Sequence, residues 1–144
     1  LRSDLEQHPA FCTLAIWHEP LFSSGARSGG ARYVRPFWDA LHEHGADVIV
    51  NADHHNYERF APQTSAGQLD TEFGIRQFVA GTGGNGLFRA EGDPVAHSEV
   101  IDDDTYGVLK LTLHPTGYDW EFLPAAGASF RDAGSGACHH AALR

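Results

Sequence analysis

Residues 36–60 read PFWDALHEHGADVIVNADHHNYERF, and this stretch decides the fold. The segment Pro36 to His44 predicts a helix, because proline suits a first turn, apolar side chains recur on one face, and the following glycine can cap the end. Asp47 to Val50 is a short apolar run of the kind found in buried strands. A similar run, Phe11 to Trp17, precedes the helix and predicts a strand buried on both faces. Strand, helix and strand joined by short loops predict two parallel neighbouring strands.

The rest of the chain predicts a second helical segment, a third strand and a hairpin. Leu1 to His8 is typical of the last turns of a helix, and Ile75 to Ala80 predicts a strand. Gly107 to Leu113 and Tyr118 to Leu123 alternate in apolar side chains on either side of a Pro-Thr-Gly turn, which predicts two antiparallel strands. The predicted class is therefore α/β, with a mixed sheet and a C-terminal antiparallel hairpin.

The charge balance of the chain limits its partners. Its 144 residues carry 19 Asp and Glu against 10 Lys and Arg, a formal net charge of −9. A nucleic-acid-binding surface needs a basic face, so none is expected. No apolar run approaches the ~18 residues of a membrane-spanning helix, so no membrane partner is expected either. The ten histidines are the unusual feature, because imidazole is the commonest metal ligand in proteins.

Polar side chains follow the first two predicted strands. His18 comes directly after the first strand, and Asn51, Asp53 and His55 follow the second. Ligands of open α/β sheets bind beyond the carboxyl ends of the strands, so His18, Asp53 and His55 are expected to share one crevice. Imidazole together with carboxylate suits Zn, Mn or Fe. The alternative is that His18 is a hydrogen-bonded structural residue and that the second cluster is only a polar turn.

Taken together, these segments resemble the calcineurin-like metallophosphoesterases, and most closely a bacterial branch related to purple acid phosphatases. The similarity rests on residues 17–25, 45–48, 51–60, 78–84, 102–109 and 118–122, which read WHEPLFSSG, GADV, NADHHNYERF, FVAGTGG, DDDTYGVL and YDWEF. The resemblance implies the C-terminal half of a four-layer α/β/β/α sandwich. It also implies hydrolysis of phosphate esters by a metal-activated hydroxide at a site with two divalent or trivalent ions, Fe, Zn or Mn.

The resemblance implies roles for single residues. His18 matches a ligand of the second metal, and His55 matches the last His of a Gly-His-x-His motif, a ligand of the first. Asp53 stands where that motif has its first His, so either Asp53 replaces it as a ligand or His54 does. Glu19 stands where relatives carry a His near the substrate. Glu19 and His54 are therefore the candidate catalytic residues.

Residues around the ligand loop are expected to orient it. They are Asn51, Tyr57, Glu58 and Arg59, and an ion pair within residues 57–59 is expected to hold the loop in place. The upstream ligand motifs of the family do not occur in context. We therefore expect residues 1–144 to be the C-terminal part of a single domain that lacks its N-terminal half, inactive alone but active as part of the full-length parent. The partners expected are that N-terminal half and a phosphate ester substrate.

Two alternatives to the enzyme remain open. One is a degenerate family member that binds phosphate or a partner without turnover, and Asp53 and Glu19 motivate it. The other is a non-enzymatic extracellular module rich in β-structure.

Three further features of the sequence carry predictions. Cys12 and Cys138 are either two unrelated thiols or, because the branch that the chain resembles is exported, a disulfide. The same resemblance implies a secreted or extracytoplasmic location. Gly81 to Gly86 matches the dinucleotide fingerprint but lacks the helix that this site needs, which favours a glycine-rich turn near the crevice. His139 and His140 are expected in an exposed tail.

Overall fold

The computed structural model describes residues 1–25, 30–90 and 92–139. These residues form two α-helices, one 3-10 turn (Arg32–Val34) and eight strands. The helices are α1 (Arg2–Gln7) and α2 (Arg35–Glu43). The strands are β1 (Leu14–Ile16), β2 (Val48–Asn51), β3 (Tyr57–Phe60), β4 (Arg76–Ala80), β5 (Ser98–Asp102), β6 (Gly107–His114), β7 (Gly117–Pro124) and β8 (Ala133–Ala137).

The strands form two sheets. The larger sheet has the order β1-β2-β4-β3-β5, with β1, β2 and β4 parallel and with β3 and β5 antiparallel to their neighbours. The smaller sheet has the antiparallel order β6-β7-β8. The predicted α/β class, the parallel pair joined through α2 and the C-terminal hairpin are therefore confirmed.

Two apolar clusters hold the layers together. Trp38 and Leu41 of α2 pack with Ile49 and Ile75 on one face of the larger sheet. On its other face, three side chains from β2, β3 and β4 pack against three from β7; they are Val48, Tyr57, Phe78, Tyr118, Trp120 and Phe122. The part of the chain that the structure describes thus stacks helix, sheet and sheet, which is three of the four expected layers.

The structure differs from the prediction at strands β1, β3, β5 and β8. β1 is shorter than the predicted run, and Ile16 is 71% exposed, so burial on both faces is wrong. The reason is position, because β1 lies at the edge of the larger sheet. The strands β3, β5 and β8 were not predicted. The sequence of β8, AGSGA, has no apolar pattern, and a Cβ on Gly134 would meet the ring of Trp120, so bare backbone is what fits there.

The C-terminal segment is fixed to the start of β1. A disulfide joins Cys12 to Cys138, whose Cα atoms lie 5.3 Å apart. The expectation that His139 lies in an exposed tail is wrong: its side chain is only 15% exposed, and its Nδ1 lies 2.9 Å from Oδ1 of Asp47. His140 lies outside the described residues. No helix within the described ranges has the length and apolar character needed to cross a membrane.

Candidate functional site

The ends of β1 and β2 stay paired beyond the strands themselves. The N–H of Trp17 donates to the carbonyl of Val50, and the N–H of Ala52 donates to the carbonyl of His18. The buried Asn51 side chain reinforces this joint, because its amide donates to the carbonyl of Trp17 at 3.0 Å and to that of Glu19 at 3.3 Å. The segment after β1 is therefore held beside the segment after β2, which brings His18 next to Asp53.

His18 and Asp53 meet in the crevice. Nε2 of His18 lies 3.2 Å from Oδ1 of Asp53, and the two side chains are 72% and 42% exposed. Asp53 has a φ of +51°, a left-handed conformation that few residues other than glycine adopt and that clusters at functional sites. The strand-end pair predicted from the sequence is thus brought together in a solvent-accessible position.

His54 lies on the other side of the same carboxylate. Its Nε2 is 3.7 Å from Oδ2 of Asp53, and its side chain is only 12% exposed. Burial lowers the pKa of His54, against the opposing effect of the negative charges on Asp53 and Glu58. Its Nδ1 is buried and has no hydrogen-bond partner among the described residues. Asp53 therefore stands between two imidazoles.

His55 faces a different set of contacts. Its Nδ1 lies 2.7 Å from the carbonyl oxygen of Gly86, and its ring stacks on Phe88 with centroids 4.1 Å apart. A carbonyl can only accept, so Nδ1 is the donor of this bond, and Nε2 is the nitrogen left to bind a metal ion. This is the orientation in which metal-binding histidines are held. The sequence placed Gly86 in a glycine-rich turn near the crevice but did not show that it contacts His55, and it gave no sign of Phe88.

The glycine-rich turn after β4 packs under the loop that carries the histidines. The N–H of Gly81 donates to the carbonyl of Asn56. A Cβ on Gly81 would overlap the carbonyl oxygen of His54 and lie 3.1 Å from Cα of His55. Residues 87–90 and 92–97 contain no helix. The expected glycine-rich turn is therefore present, and its first glycine is needed for close approach of two backbones.

Glu58 anchors the turn that follows His18. Its fully buried carboxylate accepts hydrogen bonds from the N–H of Ser24 at 2.8 Å and from the Ser24 hydroxyl at 2.5 Å. The same hydroxyl accepts a bond from the N–H of Val95. The sequence gave Ser24 only as part of the motif at residues 17–25, and the fold shows that it contacts Glu58.

The ion pair expected within residues 57–59 does not form. Successive residues of a strand point to opposite faces, so Glu58 and Arg59 cannot meet. Arg59 pairs with Glu99 and, at 2.8 Å, with Asp132. The hydroxyl of Tyr57 also donates to Asp132, at 2.6 Å. Tyr57 and Arg59 therefore contact Asp132, the residue before β8 of the second sheet, and not the residues of the crevice.

The electrostatics of this second cluster follow from its hydrogen bonds. Burial alone would raise the pKa of the Asp132 carboxyl, but the bonds from Arg59 and Tyr57 hold it below its usual value. Burial, followed by the hydrogen bond to Asp132, raises the pKa of Tyr57. Sequence reasoning missed Asp132, because it lies in an irregular segment far along the chain from its partners.

The crevice holds side chains of the types that bind metal ions, but not a closed group of them. Among the described residues, the only three side chains whose ligand atoms all lie within 4.8 Å of one another are Cys12, Asp47 and Cys138, at the opposite end of β2. In the crevice, the pair of His18 and Asp53 has the donor chemistry to hold one edge of a divalent ion, while His55 presents Nε2 separately. These residues could therefore bind one side of a metal ion, and the described residues do not supply ligands around the rest of it.

The backbone carbonyl of Glu19 helps to hold the ends of β1 and β2 together, because it accepts hydrogen bonds from the Trp17 indole at 2.7 Å and from the Asn51 amide.

Comparison with known proteins supports the fold. No protein-family model and no curated protein matches the chain. The purple acid phosphatase PPD1 from yellow lupin (Lupinus luteus) seeds has a similar structure, with a TM-score of 0.78, 17% sequence identity and coverage of 96% of this chain and 27% of that one. GAP50, the anchor in the inner membrane complex of Plasmodium, has a TM-score of 0.73, also 17% identity, and coverage of 96% and 40%. The chain thus has the fold of part of a purple acid phosphatase, and it spans less than half the length of either structure.

Proposed function

We propose that the chain is the C-terminal part of a metal-dependent phosphoesterase that hydrolyses phosphate esters. The observation that carries the proposal is the 3.2 Å approach of His18 Nε2 to Asp53 Oδ1 beyond two neighbouring parallel strands, in a fold shared with a purple acid phosphatase. The fold likeness at 17% identity supports an origin among such enzymes, and the pairing supports a metal site at the expected edge of the sheet.

The proposed ligands divide between two ions, each Fe, Zn or Mn. His18 and Asp53 would hold one ion, and Nε2 of His55 would bind the other. Two bound ions would polarise the phosphoryl group, acidify the attacking water and stabilise charge on the leaving oxygen. The remaining ligands would come from an N-terminal half of the same domain.

The other crevice residues would position these ligands or act on the substrate. Phe88 and the carbonyl of Gly86 fix the ring of His55, and Asn51 fixes the strand ends. His54 touches the second oxygen of Asp53, so it can restrain that carboxylate or substitute for it. The side chain of Glu19 is proposed to lie near the substrate, where it would repel a phosphate anion unless it is protonated or bound to metal.

A secreted or extracytoplasmic location is part of the proposal. The Cys12–Cys138 disulfide supports it, because disulfides persist in oxidising compartments.

Metal binding and hydrolysis together test the proposal. Calorimetric titration of the chain with Mn²⁺ or Zn²⁺ is expected to show binding that His18→Ala weakens at least ~10-fold. The matched control is His114→Ala, which removes an exposed histidine of β6 that pairs with Asp119. The parent protein that includes this chain is expected to hydrolyse a chromogenic phosphate ester, and His18→Ala is expected to abolish that activity. Equal metal affinity in both variants, or hydrolysis unaffected by His18→Ala, would overturn the assignment.

A second candidate is a degenerate family member that binds phosphate or a partner without turnover. The observation that favours it is Asp53 itself, which stands at a His position of the family motif and pairs directly with His18. A fold neighbour, GAP50, is described as an anchor. Comparison of the parent with its Asp53→His variant separates the two candidates. An active parent supports the enzyme, and an inactive parent that Asp53→His activates supports the degenerate member. If neither binds metal or phosphate, a non-enzymatic extracellular module remains.

A further inference from the structure

A second group of metal-type ligands lies at the other end of β2 from the crevice. Asp47 directly precedes β2, and one of its carboxylate oxygens lies within 4.8 Å of ligand atoms of both Cys12 and Cys138. The described residues bring no other three such atoms this close together. Nδ1 of His139 lies 2.9 Å from Oδ1 of Asp47. Two sulfurs and a carboxylate therefore lie together, and an imidazole lies beside the carboxylate.

The carboxylate in this group is buried and held in place. Asp47 is only 3% exposed. Its Oδ2 accepts a hydrogen bond from the N–H of Thr13 at 2.8 Å, and its Oδ1 accepts one from the N–H of His139 at 2.8 Å. Both donors are backbone groups next to the two cysteines, so the same contacts that orient the carboxylate also fix the sulfurs around it. A buried negative charge of this kind favours a cation beside it.

The space between these residues suits a single ion. A cavity of about 20 Å³ is lined by Cys12, Asp47 and Cys138 together with Thr13, Leu14, Val48, Leu113 and Tyr118. That volume is close to the minimum that holds one water molecule. The remaining walls are mostly apolar, and the low dielectric they create strengthens bonds between an ion and charged ligands. Both sulfurs and Asp47 line this cavity, and His139 is not among its lining residues.

We propose that reduction of the Cys12–Cys138 disulfide converts this group into a zinc site. A trialkylphosphine gives the disulfide two electrons and becomes its oxide, while one water molecule supplies the oxygen of the oxide and the two protons of the thiols. A dithiol supplies both the two electrons and the two protons and becomes a disulfide. Zn²⁺ then displaces both thiol protons. The two thiolates and Asp47 would provide three ligands. His139, whose Nδ1 lies beside Asp47, would supply the fourth of a tetrahedral site.

This site is independent of the proposed phosphoesterase function. It lies at the opposite end of β2 and shares no residue with the crevice. In an oxidising compartment the disulfide fixes the C-terminal segment to β1, and in a reducing one the ion would fix the same two points. The redox state would therefore select which of two cross-links holds the chain together.

Cobalt titration tests the proposal, because thiolate ligands give Co²⁺ an intense charge-transfer absorption in the near ultraviolet. The chain, reduced with a trialkylphosphine under argon, is expected to bind one Co²⁺ with that absorption, and the oxidised chain is expected to show none. One equivalent of Zn²⁺ is expected to remove the band, because zinc binds sulfur sites more tightly than cobalt. The Cys12→Ser, Cys138→Ser double variant is expected to lack the band, and His18→Ala is expected to keep it.

The contribution of the other two ligands separates a built site from a pair of free thiols. Asp47→Asn and His139→Ala are each expected to weaken Co²⁺ binding at least ~10-fold in the reduced chain. Zn²⁺ is also expected to raise the melting temperature of the reduced chain, but not that of the double serine variant, which lacks the same cross-link and is therefore its matched control. The proposal is overturned if the reduced, folded chain gives no thiolate band, or if the Asp47→Asn, His139→Ala double variant binds as tightly as the original chain.

Discussion

The backbone of Gly81 lies directly against the backbone of His54, so that a Cβ on Gly81 would overlap the His54 carbonyl oxygen. The contact joins the end of β4 to the loop that carries Asp53, His54 and His55. It explains why the residue after β4 is a glycine, and it ties the position of the candidate ligands to the larger sheet.

The first prediction follows from that contact. Gly81→Ala is expected to lower the free energy of unfolding by about 1–3 kcal/mol, the range for overpacking a filled site, because backbone and not a flexible side chain must move. It is also expected to weaken metal binding in the crevice. The matched control is Gly83→Ala, since a Cβ on Gly83 meets nothing within 4 Å. Denaturant unfolding and metal titration measure both effects, and equal stability of the two variants would contradict the argument.

The second prediction concerns the disulfide. Cys12 and Cys138 are 126 positions apart, and in the chain-entropy model closing a loop of that length stabilises the folded state by about 5 kcal/mol. Reduction without metal, or the Cys12→Ser, Cys138→Ser double variant, is expected to lower the free energy of unfolding by about this amount. Denaturant titration with and without a phosphine checks it. A reduced chain as stable as the oxidised one would show that the cross-link adds nothing.

The third prediction concerns the carboxylate that joins the two sheets. Asp132 accepts hydrogen bonds from Tyr57, Arg59 and the indole of Trp120. Asp132→Ala is expected to lower the free energy of unfolding by about 3–5 kcal/mol. The buried Arg59 guanidinium would keep only Glu99 as a counter-charge, and the Tyr57 hydroxyl and the indole would lose their common acceptor.

The control for this variant is Asp119→Ala. Asp119 lies on the neighbouring strand β7, pairs with His114 and is 53% exposed. Exposed pairs contribute about 0–1 kcal/mol, so this variant is expected to be nearly as stable as the original chain. If the two variants lose equal stability, the buried network does not hold the sheets together.

The sequence predicted the parts of the fold whose side chains carry a local pattern. The bounds of α2, β2 and β4 agree with the predictions within one residue. The apolar face of the helix, the continuous apolar run of β2 and the apolar residues at the end of β4 mark the buried segments in the sequence itself. The hairpin was predictable for a similar reason: Leu109, Leu111 and Leu113 lie opposite the aromatic side chains of β7.

The strands that the sequence did not predict are held by their neighbours. β3 has only four residues, YERF, which mix aromatic and charged side chains, and it forms a strand because it pairs with β4 and β5. β8 consists of small residues that fit under Trp120 and Tyr118. Contacts of this kind depend on residues far away in the chain, so no window of sequence contains them.

The candidate site shows the same division. His18 and Asp53 were predicted to meet, because the ends of parallel neighbouring strands must be adjacent. The partners of His55 and Glu58 lie 31 and 34 positions away, in motifs that do not indicate which side chains they contact. Periodicity therefore located the crevice, while the contacts that orient its side chains needed the three-dimensional structure.

The last prediction is the acid sensitivity of the network around Asp132. The pKa of its carboxyl is lower in the folded chain than the usual 3.8, since the bonds from Arg59 and Tyr57 outweigh the effect of burial. A group with a depressed folded pKa binds more protons in the unfolded chain, so its contribution to stability is complete above the unfolded pKa and is lost as the pH falls through the folded pKa. We expect the free energy of unfolding of the original chain to fall steeply below about pH 4.

Asp132→Asn keeps the shape of the side chain but does not titrate, so its stability is expected to be lower near neutral pH and to depend less on pH below 4. Urea unfolding at a series of pH values measures both slopes, with Asp119→Asn as the exposed control that should follow the original chain. Parallel acid profiles for Asp132→Asn and the original chain would show that this carboxyl does not determine the acid limit.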